Sequence, residues 1–235
     1  MDAIAAMMQR YPVTAFSSGF GRTLFLTFRP FLIRAAFANN QACFLEKEEW
    51  VTIVESTIRS DYDKGKGGIL AELNERVINE VVKVPGLVAR ASSLHTGPNI
   101  RSYSESVTLL HAITQCKNRL RELQEQILCA LEDLRGPIVD MHRYLGPIPV
   151  LAANKFSQGC LEGVEWTLTL LDSLEHQATH HFALQQPMAF GLADRDIILG
   201  VDTFSQASVV SYDVSPDIGW LDRCALSLGV IPSRS

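Results

Sequence analysis

The chain has 235 residues, 47% of them hydrophobic, which is enough for a substantial core without disulfide staples. Its formal net charge is −5, with 21 Lys and Arg against 26 Asp and Glu, so it lacks the cationic surplus that broad neutralisation of nucleic-acid phosphates needs. Five cysteines, Cys43, Cys116, Cys129, Cys160 and Cys224, lie at wide spacings with no Cys-x-x-Cys pair, which fits a reducing compartment and argues against a zinc ribbon or dithiol redox site.

At the N-terminus no basic leader precedes an adequate apolar run, and the longest apolar stretch is cut by Arg29, Pro30 and Arg34. Secretion and membrane insertion are both disfavoured. Residues 1–34 carry Arg10, Arg22, Arg29 and Arg34 against Asp2, a basic front to an acidic rear. Gly19-Phe-Gly21 lacks the third glycine and the preceding strand of a dinucleotide motif and reads as a turn feeding a helix. Leu24, Phe25, Phe28, Phe31, Leu32, Ala35 and Ala36 then step at helical intervals around Pro30, which predicts a helix that kinks or restarts there. A shorter helix is expected over residues 47–56.

Gly65-Lys-Gly-Gly68 misses the spacing of a phosphate-binding loop and is expected to be a surface linker. Over residues 66–84, Ile69, Leu70, Leu73, Val77, Ile78, Val81 and Val84 fall at steps of three and four, and Pro85-Gly86 should interrupt that helix. After the turn cluster Thr96-Gly-Pro-Asn99, Ser102 and Glu105 have the spacing of a capping box and predict a helix start. From there an apolar stripe, Val107 to Leu134, runs for about thirty residues until Gly136-Pro137. Lys117 and Gln124 break a strict heptad seam, so a helix packed within the domain is expected here in preference to a coiled coil, with self-association a hypothesis.

Beyond the turn-rich Gly146-Pro-Ile-Pro149, Phe156, Cys160, Leu161, Val164, Leu168, Leu171, Leu174 and Ala178 mark another helix. His176 and His180 lie one turn apart near its end, beside His181, with Glu175 or Asp172 as a possible third metal ligand. The hydrolytic His-Glu-x-x-His pattern fails because Gln177 stands where the glutamate belongs. There is no Gly-x-Ser-x-Gly elbow for a serine nucleophile either. Residues 172–235 form an acidic C-terminal part with a short strand at 208–212 and a closing helix at 218–228. Acidic and aromatic residues mix between Asp194 and Asp222, as they do in activation segments.

Three segments, in matching order, resemble the helical regulatory region of fungal transcription factors that carry a binuclear zinc cluster. The first is Phe16-Ser-Ser-Gly-Phe-Gly-Arg-Thr-Leu-Phe25 with Arg29-Pro-Phe-Leu-Ile33 and Cys43-Phe-Leu45 up to Trp50. The second is Val84-Pro-Gly-Leu-Val88 followed by Cys116-Lys-Asn-Arg-Leu-Arg-Glu-Leu123. The third is Gly219-Trp-Leu-Asp-Arg-Cys-Ala-Leu-Ser-Leu-Gly229. The six-cysteine cluster that reads DNA in that family is absent, so no zinc-ligand or DNA-contacting residue carries over. Either the chain is a fragment of a longer protein, its start has been placed late, or it is a relative that has lost the reader.

Helical periodicity along the chain predicts an all-α, bundle-like fold for residues 1–235, and the resemblance implies a regulatory domain, non-catalytic and nuclear (otherwise cytoplasmic). It would act through protein partners, a second copy or a small effector, without direct DNA binding and without a cofactor. Phe25, Phe28, Phe31 and Trp166 are candidates to line an effector pocket. No catalytic, cofactor or metal residue is assigned. The alternative is a small helical metal-dependent enzyme built on His176 and His180.

Overall fold

The computed structural model describes residues 2–64, 68–94, 101–134 and 150–185. All regular structure among them is helical, and the fold is all-α. The helices are α1 (Asp2–Arg10), α2 (Gly19–Ala38), α3 (Glu48–Asp63), α4 (Ile69–Val81), α5 (Val84–Leu94), α6 (Arg101–Asp133) and α7 (Val150–Gln185), with single 3-10 turns at Val13–Phe16 and Phe44–Glu46. The turn cluster at 96–99, the Gly136-Pro137 stop, the strand at 208–212 and the helix at 218–228 lie outside the described residues.

Helix α2 runs unbroken through Pro30, where a kink or restart was expected. Proline removes one backbone donor and crowds the preceding turn. Burial of Arg29, Pro30, Leu32 and Ile33 on both sides of the site holds the helix together across it. Helix α1 carries no strong sequence signal beyond Met8, which is fully buried. Helix α3 extends the expected 47–56 segment by two turns.

The stripe of residues 66–84 divides at Val82-Lys83, and Pro85 falls inside the first turn of α5 instead of ending a helix. That position tolerates proline, since first-turn amides have no intrahelical acceptor to lose. Helix α6 starts at Arg101, so Ser102 lies within it, not ahead of it.

Helices α6 and α7 form the main packing unit, each about 50 Å long at 1.5 Å per residue. They are antiparallel: Thr114 and Lys117 meet Glu175, while Lys117 and, further along α6, Arg121 reach back to Asp172. On α6 the buried positions run from Ser106 through Leu109, Ile113, Cys116, Leu120, Leu123 and Ile127 to Ala130, in steps of three and four. On α7 the same alternation runs from Ser157 through Cys160, Val164, Thr167, Leu171 and Leu174 to Ala178. This is a heptad seam, and Lys117 and Gln124 sit one residue beside it without interrupting it. Two residues expected in the α6 stripe, Val107 and Leu110, are exposed and half-buried, because the seam takes their neighbours Ser106 and Leu109.

Helices α4 and α5 both pack against α6 and α7 and complete the bundle. The N-terminal elements close one side of it. Trp50 is 2% exposed and packs with Phe16, Phe25 and Phe44 at centroid distances of 5.2, 5.5 and 5.5 Å. Phe37 of α2 meets Trp166 of α7 edge-on at 5.9 Å, tying the N-terminal layer to the long hairpin.

Candidate functional site

Three places concentrate polar chemistry. The first is on the flank of the α6–α7 seam. Lys117 has only 8% of its side chain exposed, and its ammonium is gripped by Asp172 and by Glu175 Oε2 at 2.5 Å. Thr114 donates its hydroxyl to Glu175 Oε1 at 3.1 Å, and Arg121 stands 3.8 Å from Asp172. Burial pulls the Lys117 pKa down, but the hydrogen bonds and charges of the two carboxylates outweigh it and leave the group above its ordinary value. Glu175 is held below the usual carboxylate range, chiefly by the hydrogen bond from Lys117.

His176 and His180 are both exposed, next to this cluster on the outer side of α7. Asp172 and Glu175, the two carboxylates weighed as their metal partners, are bound to Lys117 instead. Among the described residues no three His, Cys, Asp or Glu converge on one point. The side chain of His181 lies outside the described set.

The second place joins the N-terminal layer to α5. Glu46 projects its carboxylate against Gly86 in the first turn of α5, where a Cβ would come within 2.6 Å of Oε2. A Cβ at this position would push the end of the Glu46 side chain aside, and the helix N-terminus favours an acid there. Burial raises the Glu46 pKa, while Arg90 and Lys83 work in the opposite direction.

The third place is a buried ion pair between layers. Arg29 is 2% exposed, lies 5.4 Å over the Phe25 ring and pairs with Glu75 of α4 at 2.8 Å. Arg22 of the same helix makes a bidentate pair with Asp61 of α3, with Nη1 to Oδ1 at 2.9 Å. Arg22 and Arg29 of the basic front are thus engaged in internal pairing.

Among the described residues, the four candidates for effector lining are seen in three separate ring contacts. Phe25 is stacked on Trp50, Phe28 faces Phe31 at 6.4 Å, and Trp166 belongs to the contact with Phe37. A cavity of about 40 Å³, bounded by Ala5, Leu32, Ala36, Cys43 and Phe44, has room for a few waters only. Cys43 and Cys116 are buried, and desolvation pushes their thiols up to about 11 and about 12, so both behave as apolar filler.

Composition and periodicity gave no sign that Lys117 would be buried. A readable signal exists all the same. Lys117 directly follows a seam position, and two acids three residues apart occupy the next long helix, which is the arrangement of flanking charges in an antiparallel helix pair.

Comparison with known proteins yields one fungal relative. The chain is 29% identical over 171 residues to an uncharacterized protein of Emericella nidulans, a match that takes in 73% of this chain and 37% of that protein. The chain therefore spans little more than a third of that relative's length. No family model matches the chain, and no solved structure matches it. No described helix is long and apolar enough to cross a membrane.

Proposed function

We propose that this chain is a non-catalytic regulatory domain of the kind found in fungal zinc-cluster transcription factors, acting in the nucleus by contact with protein partners. The observation that carries the reading is the Glu46–Gly86 junction. It brings together two of the segments on which the resemblance rests, Cys43 to Trp50 and Val84 to Val88, although they lie some forty residues apart in the sequence. Trp50, which closes the first segment, gathers Phe16 and Phe25 of the same segment around it. The fungal relative, matched over only part of its length, is in keeping with a regulatory region carried within a longer chain.

Partner contact is favoured over a small effector because the aromatic residues named for a pocket are committed to separate core contacts. DNA reading is assigned elsewhere, since the acidic chain has Arg22 and Arg29 engaged internally. The metal-dependent alternative draws no support from a geometry in which both nearby carboxylates bind Lys117.

Fusing residues 1–235 to an unrelated DNA-binding domain upstream of a reporter in a fungal host tests the proposal. A severalfold rise or fall in transcription, relative to the DNA-binding domain alone, is expected. Unchanged transcription from a fusion that accumulates normally would overturn it.

A further inference from the structure

We infer that the outward face of α2 is a docking surface for a single acidic amphipathic helix of a protein partner. The inference deepens the partner-contact reading above and rests on it. Helix α2 turns Phe25, Arg29, Leu32, Ile33, Ala36 and Phe37 inward. At about 100° per residue, Phe20, Leu24, Thr27, Phe31 and Ala35 fall together on the opposite side. Phe20 is 81% exposed, the most of any large hydrophobic residue described, and the other four are half-buried. The hydroxyls of Thr23 and Thr27 donate to the carbonyl oxygens of Gly19 and Thr23 at 3.4 and 2.7 Å, so these residues leave methyl groups for the face. Ala35 also borders the small cavity, with Leu32, Ala36 and Asn39, so the stripe ends in a hollow.

Area and charge select the occupant. A face about 30 Å long and about 10 Å wide offers about 300 Å² to a partner, well short of the roughly 800 Å² that each copy contributes to a stable dimer. One helix laid along α2 covers it. From residue 3 to residue 45 the charged residues are Arg10, Arg22, Arg29 and Arg34, with no acid among them. Arg10 and Arg34 are exposed, and Arg34 lies on the outward side of α2. Asp61 and Glu75 reach the inner side and are taken up by Arg22 and Arg29. Of the elements packed on α2, the turn at Val13–Phe16 and α5 add no acid and one exposed base, Arg90. A second copy would bring the same arginines, whereas acids flanking a partner's apolar stripe complement them. A lipid surface is disfavoured, since helices that lie on membranes carry several Lys and Arg along the polar face, and α2 turns Arg34 alone outward.

The test titrates the full chain into a fluorescein-labelled synthetic helix of about 18 residues, with Leu and Phe at steps of three and four and Glu elsewhere, and follows anisotropy. A matched peptide with Lys for every Glu, and phosphatidylserine vesicles, are the comparison probes. Micromolar binding of the acidic peptide is expected, with the basic peptide at least about tenfold weaker. Phe20→Ser should weaken the acidic peptide about tenfold at an unchanged urea midpoint, because the side chain is exposed in the parent. Phe31→Ser should weaken it similarly, and should that variant fail to fold, Phe20→Ser decides. No binding, equal binding of both peptides, or binding that Phe20→Ser leaves intact would overturn the inference. So would vesicle binding lost in Phe20→Ser without peptide binding, or a dimer abolished by that substitution. The reporter fusion separates this inference from the reading it rests on. A full response from the Phe20→Ser fusion would remove α2 as the partner site and leave the regulatory reading standing. A flat response from the parent fusion, with peptide binding intact, would overturn that reading and leave the docking face supported.

Discussion

Gly21 offers a substitution for which general expectation and structure give opposite signs. In a helix interior, Gly→Ala ordinarily stabilises by about 1 kcal/mol, because alanine has less backbone entropy to lose. Here a methyl at Gly21 would lie 2.0 Å from the carbonyl oxygen of Ala15, 3.0 Å from its carbon and 3.4 Å from Phe16 Cα. All three atoms are backbone, so no side chain can rotate aside, and the 3-10 turn at Val13–Phe16 must move away from α2. Overpacking of this kind costs about 1–3 kcal/mol, and an obstruction well inside van der Waals contact belongs at the upper end. Subtracting the propensity gain leaves a net loss of about 2 kcal/mol, a large share of the roughly 5–15 kcal/mol typical of a folded domain.

The urea midpoint of Gly21→Ala, followed by far-UV circular dichroism, should therefore fall. The near-UV spectrum should change as well, because Phe16 is carried by the displaced turn and packs on Trp50. Gly19 is the control. It has φ +56° with nothing within 4 Å, so Gly19→Ala meets only the left-handed backbone penalty of about 1–2 kcal/mol and should leave the near-UV spectrum alone. A Gly21→Ala protein as stable as the parent or more so would refute the steric reasoning.

Other substitutions test the ion pairs. Arg29→Met strands Glu75 in a largely buried site and should destabilise by about 3–5 kcal/mol in denaturant melts, whereas adding Glu75→Leu should recover most of the loss. The two perturbed glutamates should respond to acid in opposite ways. Glu175 has a lowered folded pKa, so its contribution is present at neutral pH and lost as pH falls through the acid range. Glu46 has a raised folded pKa, so it favours the folded state increasingly as pH falls. Between pH 7 and pH 4 the fall in urea midpoint should consequently be smaller than the parent's for Glu175→Gln and larger for Glu46→Gln. The reverse order would show that the environments of the two carboxylates have been misassigned.

The stripes around Leu73, Leu120 and Leu171 made the all-α class legible in the sequence, since apolar residues at steps of three and four leave a helix one face to bury. Boundaries were less legible wherever proline was involved. Pro30 is carried inside a continuous helix by burial on both sides, and Pro85 starts a helix where it was expected to end one. At the polar sites the sequence supplied the residues without their partners. Asp172 and Glu175 looked equally available to His176 or to anything else until α6 was laid beside them.

What the amino-acid order alone determined is local: which segments coil and which face of each is greasy; the Gly19-Phe-Gly21 stretch, expected as a turn feeding a helix, is the first turn of α2 itself. Which seam position meets which, that Arg29 answers Glu75 and that Lys117 answers Asp172 and Glu175 were decided by the tertiary structure. Such pairings join residues some 45 to 60 positions apart, and helical periodicity carries information over a few turns only. Burial settles the rest, because a charge at a desolvated seam can stay only where the fold brings it a counter-charge.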